Sequence, residues 1–166
     1  MQMIKPALVL GLGVLVAPPL TAEEEVSPTV ALKRMTLEVA QQIAQGALHE
    51  CRSRGIQIGV TVVDRNGIVQ VTLRDTIAAQ ITLPISRMKA FTAANFNAAT
   101  SALQDRADTP IGRIDGLVMS AGGLPIEVGG QLLGGVGVSG APSGLTDEAC
   151  AKAGIDVVID DLEMAL

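Results

Sequence analysis

The chain reads as an α+β domain in which hairpin-linked strands form a mostly antiparallel sheet with helices packed around it. Three observations predict this. Apolar residues between 36 and 54 recur at helical spacing, an Asn-Gly turn joins two alternating runs, and a Gly-Gly turn joins two more.

Taken in order, Thr36 is placed to cap a helix running to about Arg54. Ala40, Ile43, Ala44, Ala47, Leu48 and Cys51 form one stripe along it, and Gly55 stops it. A strand over 57–63 follows, with Ile58, Val60 and Val62 on one face. Asp64-Arg65-Asn66-Gly67 turns the chain, and the return strand over 68–74 alternates Val69, Val71 and Leu73. Residues 75–83 connect to a second helix with Pro84 in its first turn. That helix runs to about Ala98 and carries Met88, Phe91, Thr92, Asn95 and Phe96. A short third helix is expected over 101–107 and a loop over 109–112. Strands are expected at 117–120, 124–128 and 131–138, the last two joined by Gly129-Gly130. Thr146 opens the last helix, with Asp147 and Glu148 complementing the dipole in its first turn.

The 166 residues suffice for one domain with a real core. Apolar residues make up 48% and charged residues 17%, which excludes a disordered chain. With no Trp, no Tyr and only Phe91 and Phe96, the core must come from Val, Ile, Leu and Ala, and little aromatic surface is left to stack on bases. The formal charge is −5. A nucleic-acid binder needs a basic footprint, so nucleic acid is set aside as a partner.

Residues 1–22 read as a signal peptide. Lys5 precedes an uncharged apolar run from Ala7 to Val16, followed by Leu20-Thr21-Ala22 and the acidic Glu23-Glu24-Glu25. The run is too short to span a bilayer. Cleavage after Ala22 leaves a chain with 11 basic residues (12 less Lys5) against 17 acidic ones, a charge of −6. Residues 23–35 read as a flexible lead-in, and 36–166 as the domain. A periplasmic or secreted location follows, and such a compartment permits disulfides. Cys51 and Cys150 fall on the first and last helices, which could be neighbours, but sequence does not fix their distance against the strict geometric limit; two buried free thiols are slightly preferred over a bridge.

Few residues carry recognisable chemistry. Gly135-Val136-Gly137-Val138-Ser139-Gly140 has the spacing of a dinucleotide-binding loop, but it sits within a strand after a hairpin and opens no βαβ unit. It reads as a glycine-rich strand edge packed against a helix. No Gly-x-Ser-x-Gly elbow occurs. The single histidine, His49, lies beside the apolar stripe and reads as a partly exposed helix residue, and one His with two distant Cys supplies no zinc site. Arg74-Asp75, directly after a strand, suits either an anion site or a solvated turn. Arg87 and Lys89 flank Met88 on the second helix, where they suit carboxylate ligands or a wet face.

Several segments together resemble the GlcG/HbpS-like haem-binding family, which includes the carboxy-terminal domain of some cobalamin adenosyltransferase proteins. Val60-Thr61-Val62-Val63-Asp64-Arg65-Asn66-Gly67 is similar to the family's strand and turn, Leu73-Arg74-Asp75 to its strand end, and Arg87-Met88-Lys89-Ala90-Phe91-Thr92-Ala93-Ala94 to its Lys-Ala-Tyr/Phe-Thr-Ala helix. Gly122-Gly123-Leu124-Pro125-Ile126, Leu133 to Gly140 and Asp147 to Gly154 resemble its second half. The likeness covers nearly all of 36–158. It implies a profilin-like domain with a five-stranded antiparallel sheet flanked by helices on both faces, assembled into homo-oligomers. It also implies haem as the ligand, with exported members serving in haem sensing or scavenging.

One departure matters. Members of the family it resembles often carry a histidine shortly before the Lys-Ala-Tyr/Phe-Thr helix, in the segment matching Gln80-Ile81-Thr82, where this chain has Ile81. Iron wants a strong axial donor, and Thr82, Met88 and His49 are the candidates left. Arg74, Arg87 and Lys89 are the candidate propionate partners, with Asp75 and Thr82 completing the expected cofactor surface. The resulting expectation is a non-catalytic, exported protein that binds haem or a similar flat hydrophobic ligand, with an outer domain of a membrane sensor as a further candidate partner. The alternative is an enzyme or accessory factor acting on a small organic acid or aromatic compound through Asp64, Asp75 or Asp115.

Overall fold

The computed structural model describes residues 27–166, and the folded unit is Leu32–Leu166. The expected signal peptide lies outside the described residues.

Helix α1 spans Leu37–Ser53, and the Thr36 side chain accepts a hydrogen bond from the Val39 N–H at its start. Its buried residues are Ala40, Ile43, Ala44, Ala47, Leu48 and Cys51, the stripe expected from spacing. Strands β1 (Gly59–Asp64) and β2 (Val69–Arg74) form the first hairpin. The Asp64 carboxylate holds the turn by accepting from the N–H groups of Asn66 and Ile68 at 2.8 and 3.0 Å. Gly67 supplies the left-handed conformation there, with φ +79°. Helix α2 (Thr82–Phe96) follows and ends at Asn97 in the left-handed region. Two short 3-10 helices, Thr100–Arg106 and Pro110–Arg113, lead to β3 (Gly123–Val128) and β4 (Gln131–Ser139). Helices α3 (Gly144–Asp156) and α4 (Ile159–Ala165) close the chain.

The sheet has four strands in the order β2-β1-β4-β3, all antiparallel. The expected fifth strand, 117–120, is irregular. It has no ladder partner because it crosses α2, where the Val118 N–H donates to Thr92 Oγ1 at 3.0 Å. Helix α3, expected to open at Thr146 as the last helix, begins two residues earlier, since Ser143 supplies the cap by accepting from the Leu145 N–H, and is followed by α4. The end of the expected lead-in is tied to the domain. Lys33 Nζ donates to the Ala165 carbonyl at 2.6 Å, Arg34 pairs with Asp64 at 2.9 Å, and Met35 is buried in the core.

Helices cover both faces of the sheet, and the two faces differ in kind. On one, Ile58, Val60, Val62, Val136 and Val138 pack against Ile43, Ala44 and Ala47 of α1 and Ala151 of α3, forming the aliphatic core. On the other, α2 lies directly on the strand backbones. Thr82, Ser86 and Ala90, one turn apart, face Gly59, Thr61, Gly135 and Gly137. A Cβ at Gly137 would overlap the Ser86 carbonyl oxygen, so only glycine permits this approach. The glycines at 135 and 137 thus belong to an interior strand pressed against a helix, and not to a strand edge. All six residues of β1 are buried because both its faces are covered.

The two cysteines are joined. Cys51 of α1 and Cys150 of α3 form a disulfide with Cα atoms 5.6 Å apart, correcting the expectation of free thiols. Sequence places both on helix faces turned inward; the distance arises only once α1 and α3 pack side by side.

Candidate functional site

The residues singled out from sequence divide into those bonded to the protein itself and those lining open space. Arg74, at the end of β2, is exposed, and its guanidinium donates to the carbonyls of Thr76 and Ala78, fastening the connection to α2. Asp75 is buried and its N–H donates to the Ile58 carbonyl. Its carboxylate accepts from Arg52 Nε at 2.9 and 3.0 Å and from Arg52 Nη2 at 2.6 Å. This two-pronged bond, and the negative charge behind it, hold the Arg52 pKa above its ordinary value. Thr82 is buried against Gly59, with its hydroxyl donating to the Ala79 carbonyl at 2.7 Å.

Lys89 is buried too. Its Nζ donates to the Val138 carbonyl at 2.9 Å and to Asp147 Oδ2 at 3.0 Å. It therefore has internal partners where a propionate had been expected. The physical reason is angular. Residues 87 and 89 stand about 200° apart around a helix, so one side chain points out while the other points into the fold.

Arg87 and Met88 do meet. With Pro84 and Phe91 of α2, and with Asp115 and Gly116 of the turn just before 117–120, they line a cleft of about 310 Å³. Arg87 and Asp115 are exposed, while Met88 and Phe91 are half-buried. Successive turns of α2 place residues 84, 87, 88 and 91 along one outward face. The cleft thus brings together a thioether, an aromatic ring, a guanidinium and a carboxylate.

His49 lies elsewhere. It is exposed on α1, beyond the opposite face of the sheet, in a shallow groove with Gln45, Arg52 and Val157. Of the three carboxylates considered as acid–base groups, Asp64 is engaged by the turn and by Arg34, and Asp75 by Arg52. Asp115 lines the α2 cleft. No group of three or more His, Cys, Asp or Glu able to hold a metal ion occurs among the described residues.

Sequence reading missed the Lys89–Asp147 pair, whose side chains are each 5% exposed. Burial pushes the Asp147 pKa above its ordinary 3.8, outweighing the N–H of Ala141 and the charge of Lys89, which both lower it. A signal existed: Lys89 falls between Ser86 and Ala90 on a helix whose small residues mark the buried side.

The architecture defines a class, a helix-flanked antiparallel α+β domain carrying a side-chain-lined cleft on its second helix. The chain belongs to the HbpS-like family, described as haem degrading protein HbpS-like, whose family model matches residues 35–156. It is similar to HbpS in its crystal structure, with 38% identity and a TM-score of 0.75, covering 79% of this chain and 94% of that one. It is similar also to a double mutant of Streptomyces reticuli HbpS, with 37% identity and a TM-score of 0.75, covering 86% and 98%. PduOC, solved as a complex with heme, shares 25% identity at a TM-score of 0.69, covering 75% and 94%. A search of the curated proteins found no match.

Proposed function

We propose that this chain is an exported haem-binding protein that senses or scavenges haem without turning it over. One observation carries the reading: the α2 cleft gathers Met88, Phe91 and Arg87 in a member of a haem-related family. The donor set fits in kind. The Met88 thioether is a recognised axial donor for haem iron. Phe91 and Pro84 offer apolar surface to a macrocycle, and Arg87 suits a propionate. Bound haem would supply a redox-active, coloured iron centre; the protein contributes the donor, the apolar wall and the countercharge. A flat hydrophobic ligand of similar size would use the same wall.

At about 310 Å³ the cleft stands at the low end of ligand sites, so it suits one edge of a macrocycle and leaves the rest to solvent or to a second copy. Homo-oligomers are part of the proposal for that reason. So is a periplasmic or secreted location, which the sequence of residues 1–22 and the Cys51–Cys150 bridge support. A membrane sensor's outer domain is the proposed protein partner, and pull-down from membranes tests it.

The family description favours a second reading, haem degradation. Ferric haem added under air with ascorbate separates the two. A persisting Soret band supports binding without turnover, whereas bleaching with release of iron supports degradation. Met88→Ala tests the donor: its complex should lose the ligand-field bands of the wild type, and an unchanged spectrum removes Met88 from the role.

A further inference from the structure

We infer, resting on the haem reading of the α2 cleft, that Asp115 limits the charge of the tetrapyrrole admitted there. Haem, with two propionates, is accepted. Coprohaem, its relative with a propionate on every pyrrole ring, is disfavoured.

Arg74, Asp75 and Lys89 are spent inside the protein. Asp75 is held by Arg52, Arg74 donates to two carbonyls, and Lys89 is paired with Asp147. Arg87 and Asp115 differ. Both are exposed on the walls of the cleft, and none of the ion pairs among the described residues includes either of them. They do not pair with each other, so the cleft keeps one unneutralised charge of each sign. The turn before 117–120 sets Asp115 in the wall opposite α2. Gly116 follows it with φ +89°, a left-handed conformation that glycine takes without strain.

The two charges act on a carboxylate in opposite senses. Arg87 can take one propionate in a two-pronged bond. A further carboxylate at the same mouth meets Asp115, and like charges repel. Haem avoids this, because its two vinyl-bearing rings carry no charge: one propionate reaches Arg87 while an uncharged ring faces Asp115. Coprohaem has no uncharged ring, so whichever edge enters, a carboxylate comes up against Asp115. Because Asp115 is exposed, water screens the repulsion and the discrimination is modest, about threefold. The apolar wall of Pro84, Met88 and Phe91 reads no charge, so the selection falls to Asp115.

Spectral titrations of wild type and Asp115→Asn with ferric haem and with ferric coprohaem test this. Wild type should bind haem more tightly than coprohaem. Asp115→Asn should tighten coprohaem binding about threefold and change haem binding by less. About 1 M sodium chloride should close most of the gap between the two proteins, since salt screens exposed charges. Coprohaem that binds both proteins alike, or neither, while haem binds wild type overturns the inference alone, provided Asp115→Asn keeps its thermal midpoint. So does a gap that salt leaves undiminished. Free-haem spectra with wild type overturn the haem reading itself, and the inference with it.

Discussion

Lys89 Nζ lies 3.0 Å from Asp147 Oδ2, and the pair ties the middle of α2 to the first turn of α3 across the end of β4. Among the described residues, each partner is the other's only opposite charge at bonding distance. Lys89→Met should therefore destabilise the protein by about 3–5 kcal/mol, the usual cost of leaving a buried charge unpaired. Lys89→Met combined with Asp147→Leu should recover much of that loss, since two apolar groups leave no charge to compensate. Urea unfolding of both variants checks the order; a double variant less stable than the single one would contradict it.

The same carboxylate gives a pH dependence with a definite sign. The folded chain holds a proton on Asp147 more tightly than the unfolded chain, whose Asp value is 3.8. Its contribution to stability is full below that value and is lost as pH rises through the higher folded one. The stability of wild type relative to Asp147→Asn should therefore fall between strongly acidic and neutral pH. Urea midpoints at a series of pH values read this directly, and a relative stability that climbs with pH would refute it.

The bridge between Cys51 and Cys150 closes a loop across a sequence separation of 99 residues. Replacing both cysteines by alanine, or reducing them, should cost about 4 kcal/mol by releasing the unfolded chain. Thermal unfolding with and without reductant measures it, and coincident curves would mean that the bridge is absent in solution.

The seam between α2 and β4 tolerates no added atom at Gly137, where a Cβ would meet the Ser86 carbonyl. Gly137→Ala should cost about 3 kcal/mol by prying the helix off the sheet. An alanine variant of wild-type stability would show that the seam is looser than described.

Much of the fold was legible because it rests on local periodicity. The α1 stripe, the hairpin turned by Asp64 to Gly67 and the Gly129-Gly130 turn each carry their own signal. The inner face of α2 carries a fainter one, because Thr82, Ser86 and Ala90 are small or polar and make no apolar stripe. Residues 117–120 have strand-like composition but lie across a helix, where no ladder is on offer. The site was legible in part. Residue type singled out Arg87 and Met88, which line the α2 cleft, whereas Asp75, Thr82 and Lys89 show their internal partners only in three dimensions. His49 was separable from the others only once α1 and α2 were known to cover opposite faces.

Spectral titration of purified protein with ferric haem, beside Arg87→Ala, Met88→Ala and His49→Ala, decides whether the α2 cleft holds haem. A shifted Soret band that saturates at a fixed ratio is expected in wild type and His49→Ala, with weaker binding in the two cleft variants. Free-haem spectra throughout the wild-type titration would contradict it.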